Sequence, residues 1–332
     1  MVLGKGAMTG ITTEGNPYEG DFQKGIEYDQ NEVDFPVVVR KGDTCFISNL
    51  YRAGASRLAE YVRTTCDHQG LEIGAGTGIS TLEILSKNKL RKLFAVEMSK
   101  GMISVAKYKF NQSDGSELLN PGTNINLLKY WEEFRKESRP YSKQVTFMVQ
   151  RFEDTDFPEE VMDFAIANQS IHWMDLNQIF LKLRKFLKKD ASLWWNTASH
   201  FYNDSQFPSF KFGARYNDFL KYVLEELNHD FEVGDLYSVS KPIYDLTSLQ
   251  EISSKNGFQT KQLGIHIPFF DLQFFVTHHI PSIVNQLTKT DDREKLESRL
   301  KEAIAKTINN PQALKDTRHK YDVNPIFCST KL

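Results

Sequence analysis

Gly70-Leu71-Glu72-Ile73-Gly74-Ala75-Gly76-Thr77-Gly78-Ile79-Ser80 is the stretch that decides how this 332-residue chain is read. A short segment carrying an acid enters three alternating glycines and passes straight into Thr81-Leu82-Glu83-Ile84-Leu85, which reads as a helix. Strand, turn and helix in that order are how a doubly wound sheet builds a site for a nucleotide-like ligand. Glycine suits such a turn because it takes positive φ without steric cost and lets the backbone approach a ligand. Spacing then separates the ligand classes. Dinucleotide sites use G-x-G-x-x-G, whereas this chain has G-x-G-x-G with Glu72 two residues ahead of the first glycine.

Working outward, Leu93-Phe94-Ala95-Val96 is a short apolar run ended by Glu97, as a buried parallel strand would be. Glu97 falls about 20 residues beyond the last glycine, where an acid in a doubly wound site accepts hydrogen bonds from ribose hydroxyls. Ser99 is placed to cap the following helix. Val145 to Gln150 and Met162 to Asn168 read as further strands, and Leu176 to Leu187 as an amphipathic helix ending in Lys188-Lys189. Ser192 to Thr197 reads as the fifth strand. The polar segment from Gln112 to Lys143, with a helix over Asn126 to Glu137, reads as a surface insertion. No repeat or low-complexity tract interrupts the chain.

Composition bounds the rest. Hydrophobic residues at 40% and charged residues at 25% are ordinary globular values and predict a sizeable core. A net charge of −2 supplies no general attraction to nucleic acid or anionic lipid. No apolar run approaches the roughly 18 residues of a membrane span. Met1 to Asn16 lacks the apolar core of a secretory signal. Cys45, Cys66 and Cys328 have no C-x-x-C spacing, which argues against a disulfide framework or a zinc site. The expectation is a cytoplasmic protein without a metal centre.

These motifs together resemble the class I S-adenosyl-L-methionine (SAM) methyltransferases. The text E-D-T…D-F-A-I-A-N-Q-S-I-H-W-M-D, over residues 153–175, looks like the branch containing trans-aconitate methyltransferases, and the resemblance covers roughly residues 45 to 200. It implies that Gly74, Gly76 and Gly78 admit the methionine moiety, that Glu72 meets its ammonium, and that Glu97, with Met98 beside it, holds the ribose. Phe152 and Glu153 would contact adenine, and Arg151 stands where many relatives have an aspartate. Met102 would lie near the adenine or pack in the core. Asn168 and Trp173 would lie against the methionine end. His172 would act as a general base, orient substrate, or simply pack. Tyr51 and Arg52 match the start of a Y-R-P-x-Y-P-x-x-L segment, which places Arg52 at the cofactor carboxylate or on a solvated helix start. Asn168-Gln169-Ser170-Ile171 lacks the prolines and aromatic of enzymes that methylate flipped bases, so nucleic-acid substrates are not expected.

The expected fold is α/β: a Rossmann-like, seven-stranded, mostly parallel sheet with an antiparallel last strand and helical cap insertions. The expected divisions are an N-terminal arm (1–44), a SAM-binding core (45–200), a helical cap (201–255) and C-terminal strands with a helical insertion (256–332). Tyr18, Phe22 and Tyr28 in the arm are placed to fold over a pocket. Phe35 to Ile47 reads as a short strand, Gly257 to Phe270 as the sixth strand and His319 to Ser329 as the last. The expected partner is a small molecule, with Lys211, Arg215 and His278 as candidates for holding an anionic one. By resemblance the reaction is O-methylation of a carboxylate. The alternatives are another SAM reaction on the same fold, such as cyclisation or aminocarboxypropyl transfer, and non-catalytic SAM binding. A dinucleotide dehydrogenase ranks lower because of the glycine spacing.

Overall fold

The computed structural model describes residues 25, 26, 29, 37–41, 44–48, 50–62, 64–116, 118, 124–171, 174–197, 246–266, 268–269, 298, 302, 303, 306 and 324–332. The strands are β1 (Val37–Lys41), β2 (Thr44–Ser48), β3 (Gln69–Ile73), β4 (Lys92–Glu97), β5 (Val145–Val149), β6 (Met162–Asn168), β7 (Leu187–Asn196), β8 (Phe258–His266), β9 (Pro268–Phe269) and β10 (Asn324–Lys331). The helices are α1 (Leu50–Tyr61), α2 (Ile79–Lys87), α3 (Lys100–Lys109), α4 (Ile125–Ser138), α5 (Leu176–Phe186) and α6 (Leu246–Lys255).

Seven strands form one sheet in the order β5-β4-β3-β6-β7-β10-β8. β3 pairs in parallel with β4 on one side and β6 on the other, and β10 runs antiparallel between β7 and β8. The period-two alternation of the strands feeds two cores. Leu71, Ile73, Ala165 and Ala167 face α5 and α6, where Phe180, Leu183 and Leu249 meet them. Leu93, Ala95, Phe164 and Ile166 face the opposite way, toward Leu58 of α1, Leu82 of α2 and Ile103 of α3. The expected Rossmann-like, mostly parallel sheet with an antiparallel final strand is the one found.

The chain builds β3, β4 and β5 outward and then crosses back to lay β6 against β3. That reversal opens a crevice at the carboxyl ends of β3 and β6, where ligands bind in open α/β sheets. Gly74 and Gly78 follow β3 directly, so the glycine turn stands at the crevice mouth.

Several local expectations change. The segment at 35–47 is a hairpin, β1 with β2, and it joins β9 in a separate three-stranded antiparallel sheet. The 257–270 stretch is accordingly shared: β8 belongs to the large sheet and β9 to the small one. Lys188 and Lys189 lie in β7 rather than at the end of a helix, because α5 stops at Phe186 and β7 begins at once. The helix expected as a surface insertion is half core: Leu127, Trp131 and Phe134 on α4 are all buried. Their i, i+4 and i+7 spacing puts them on one face, which the surrounding charges obscure in sequence. No helix among the described residues is long and apolar enough to cross a membrane. The cap expected at 201–255 is described only from residue 246 onward, and Lys211, Arg215 and His278 lie outside the described residues, as do Tyr18, Phe22 and Tyr28.

Gly70 shows how tightly the central strands pack. A Cβ placed there would sit 2.2 Å from the Phe164 ring on β6. Gly70→Ala is therefore expected to destabilise the fold by about 1–3 kcal/mol through overpacking. Urea denaturation would read this, and Phe164→Leu in the same background should restore part of the loss.

Candidate active site

The glycine turn is built from three left-handed residues, Gly74, Gly76 and Gly78, at φ of 73°, 55° and 84°. Each glycine has its own reason. A Cβ on Gly74 would fall 2.2 Å from the Ser170 side chain, whose hydroxyl donates to the Ile73 carbonyl at 2.5 Å. A Cβ on Gly76 would meet nothing nearer than the Met102 sulfur at 3.9 Å, so it would project into open space. A Cβ on Gly78 would press on Phe110 and Ala106 of α3 at 3.1 and 3.3 Å. Gly78 thus serves helix packing, while Gly74 and Gly76 line the crevice.

That crevice encloses about 1080 Å³ of free space counting its open mouth. Its floor is the turn from Gly74 to Thr77. Glu97 and Met98 from the end of β4 form one wall with Met102. Gln150, Arg151, Phe152 and Glu153 follow β5, and Asn168, Gln169, Ser170 and Met174 follow β6. Met102 is both buried and part of the lining.

Two carboxylates organise the electrostatics. Glu97 accepts from the Gly76 amide at 3.1 Å through Oε2 and from the Ser99 amide at 2.9 Å through Oε1. Burial raises its pKa, and the amides of Ser99, Gly76 and Met98 oppose that rise. Glu72 lies deeper, 1% exposed, beneath the first turn of α2. It accepts from the Ser80 hydroxyl and, at 2.6 Å, from the Thr81 hydroxyl. Burial pushes its pKa up to about 7, with Glu97 adding repulsion and the two hydroxyls opposing.

Among the residues singled out from sequence, the structure brings Gly74, Gly76, Glu97, Met98, Phe152, Glu153 and Asn168 together around this one space. Glu72 reaches it only by way of Ser80, which lines it. Arg52 points elsewhere: its guanidinium pairs with Glu83 of α2 at 2.6 Å and Glu137 of α4 at 2.5 Å. Tyr51 is placed as part of α1, its side chain undescribed, and His172 and Trp173 lie outside the described residues. Sequence reasoning missed the contributions of Thr77, Ser80, Gln169, Ser170 and Met174. Gln169 carried no signal because its property is conformational: φ of 55°, with its amide donating to Asn196 Oδ1 at 2.8 Å. Asn196 also donates to Asn168 Oδ1 at 2.9 Å, so β7 braces the loop after β6.

Residues 71–195 match the family described as "Methyltransferase domain". That stretch is similar to a methyltransferase domain. Among solved structures, the cyclopropane synthase MmaA2 from Mycobacterium tuberculosis is 14% identical, with 98% of this chain and 100% of that one covered and a TM-score of 0.54. The [4+2]-cyclase SpnF is 16% identical, with 94% and 97% covered and a TM-score of 0.51. At such identities the likeness is one of fold. No curated protein matches the chain.

The crevice suits S-adenosylmethionine on its own geometry. Gly76 offers backbone without a side chain where a ligand approaches, and Glu97 presents a held carboxylate beside it. Two buried acids around the space suit a ligand carrying a sulfonium and an ammonium. Among the described residues no cluster of His, Cys, Asp or Glu gathers as a metal site requires.

Glu72 gives a pH prediction for the ligand-free protein. Its pKa is raised from 4.5 to about 7 on folding, so its stabilising share is fully present below about 4.5 and is lost as pH rises through about 7. Wild type should lose up to about 3 kcal/mol relative to Glu72→Gln between those limits. Urea unfolding of both proteins across pH 4.5 to 8 measures the difference.

Proposed function

We propose that this methyltransferase transfers a methyl group to a small-molecule acceptor, and that the acceptor atom is a carboxylate oxygen. The observation that supports the donor half is the pairing of the glycine turn with Glu97 across the end of β4, at 3.1 Å between the Gly76 amide and Oε2. The acceptor half rests on the resemblance of the 153–175 stretch to carboxylate-directed enzymes. Chemistry agrees with it, since a carboxylate is already ionised at neutral pH and needs no base. His172 is then not required as a proton acceptor.

In this reading Glu97 accepts from the ribose hydroxyls with the lone pairs that the Gly76 and Ser99 amides leave over. Met98, Met102, Phe152 and Glu153 enclose the adenine. Gly74, Ser170 and Asn168 flank the methionine end, with Glu72 biasing it toward positive charge through Ser80. Bound SAM supplies an activated methyl group, which joins the nucleophilic oxygen as its bond to sulfur breaks, leaving S-adenosylhomocysteine. The protein's part is to hold donor and acceptor in line at about 3–3.5 Å and to exclude water. The fold alone does not choose the reaction, because one of its neighbours is a cyclopropane synthase and another a [4+2]-cyclase.

Incubation with methyl-labelled SAM and a panel of carboxylic acids, alongside a metabolite extract, tests both halves. The expected result is S-adenosylhomocysteine in step with a labelled product that releases methanol in alkali. Label that resists alkali would remove the carboxylate, and methylthioadenosine would remove methyl transfer itself. Glu97→Gln should weaken SAM binding by about 10- to 100-fold, the loss expected for hydrogen bonds to a charged acceptor. Calorimetry at neutral pH reads that change directly.

A further inference from the structure

Forty-eight residues before Thr77, and ahead of the matched methyltransferase domain, Asp29 is buried with 0% exposure. Its Oδ1 accepts from the Thr77 hydroxyl at 2.5 Å. Its Oδ2 accepts from Lys109 Nζ at 2.8 Å and from the Trp131 indole N–H at 2.7 Å. Lys109 Nζ also donates to the Thr77 hydroxyl at 3.4 Å and lies 4.2 Å over the Phe134 ring. Lys109 too has 0% exposure. One carboxylate therefore joins the N-terminal segment, the glycine turn, the end of α3 and the middle of α4.

We propose that Asp29 is a positioning residue for the cofactor site: it fixes Thr77, and through it the glycine turn that receives SAM. The proposal rests on the SAM reading of the crevice. Thr77 sits between two left-handed glycines, 76 and 78, and lines the crevice. A turn so rich in glycine loses more backbone freedom on ordering than any other. A fixed anchor at Thr77 means that this ordering is complete before the ligand arrives, and preorganisation raises affinity. The Gly76 amide, one residue earlier, is then already aimed at Glu97. A buried ion pair is weak evidence for stability, because apolar residues of similar volume often do as well. Geometry is what this one provides, and the geometry it provides belongs to the cofactor turn.

The segment is seated by close backbone packing as well. A Cβ on Gly25 would lie 2.7 Å from the Gly101 carbonyl oxygen at the start of α3. Ile26 packs against the cluster of Val105, Tyr108, Leu118, Leu127 and Trp131. Gly25 thus offers a way to displace the segment without changing any member of the charged cluster.

Full-length wild type, Asp29→Asn, Gly25→Ala and the control Leu183→Ala are compared by titration with S-adenosylhomocysteine and by thermal melting. Leu183 is buried on the opposite face of the sheet and sets the effect of lost stability alone. Asp29→Asn and Gly25→Ala should each weaken binding about tenfold or more, with a larger entropic penalty, while Leu183→Ala lowers the melting temperature and leaves affinity within twofold. Wild-type affinity in both arm variants, with only melting affected, overturns the proposal. If Asp29→Asn does not fold, Gly25→Ala decides by the same criterion. Failure of wild type to bind either SAM or S-adenosylhomocysteine would instead overturn the cofactor reading, and this inference with it.

Discussion

Val96 and Glu97, the last two residues of β4, hold the glycine turn from the neighbouring strand. The Val96 carbonyl accepts from the amides of Gly74 and Ala75 at 2.8 and 3.1 Å, and the Glu97 carboxylate accepts from Gly76 at 3.1 Å. Three left-handed residues in five positions would otherwise be a flexible segment, because glycine restricts its own backbone least. The parallel register of β3 with β4, Ile73 opposite Val96, is what brings those acceptors to the turn. The position of the turn, and of the crevice it floors, therefore depends on one pairing. Loss of that register would leave the sequence motif intact and the site absent.

The parts of this protein that were legible in the sequence are those where a single local pattern has a single physical meaning. Alternating glycines after an apolar strand, and an acid ending the next strand, have few other uses, so the turn, Glu97 and the parallel core were readable. Strands were also read at 257–270 and 319–329, close to β8 and β10. What stayed hidden depends on partners far apart in sequence. Arg52 looks like a cofactor ligand by its place in a motif, yet its guanidinium pairs with Glu83 and Glu137, 31 and 85 residues away. The core face of α4 was masked by Glu132, Glu133 and Lys136, whose charges lie on its other side. Asp29 had no local pattern at all: its three partners are 48, 80 and 102 residues downstream.

The third glycine also shows how a motif can combine two functions that sequence reading merges. Gly74 and Gly76 serve the crevice, whereas Gly78 lets α2 start against Phe110 and Ala106 of α3. Substitution at Gly78 would be felt first as a shift of two helices. Glu97 and Thr77 would then move because their supports had moved.

The buried acids give a physical reason why this turn receives a cation-bearing ligand and not a dinucleotide. A helix N-terminus with free amides and hydroxyls is an anion site, and a pyrophosphate at the start of α2 would need it. In this protein the two hydroxyls of that first turn, Ser80 and Thr81, already donate to Glu72. A phosphate arriving there would find both hydroxyls engaged and a buried acid behind them. A sulfonium and an ammonium would find the opposite: two carboxylates whose mutual repulsion they relieve. Glu72 is held near a pKa of about 7 by burial and by Glu97, so a cation in the crevice lowers that pKa and releases its proton near neutrality. Glycine spacing in the sequence and charge in the structure thus weigh against the same ligand class for independent reasons.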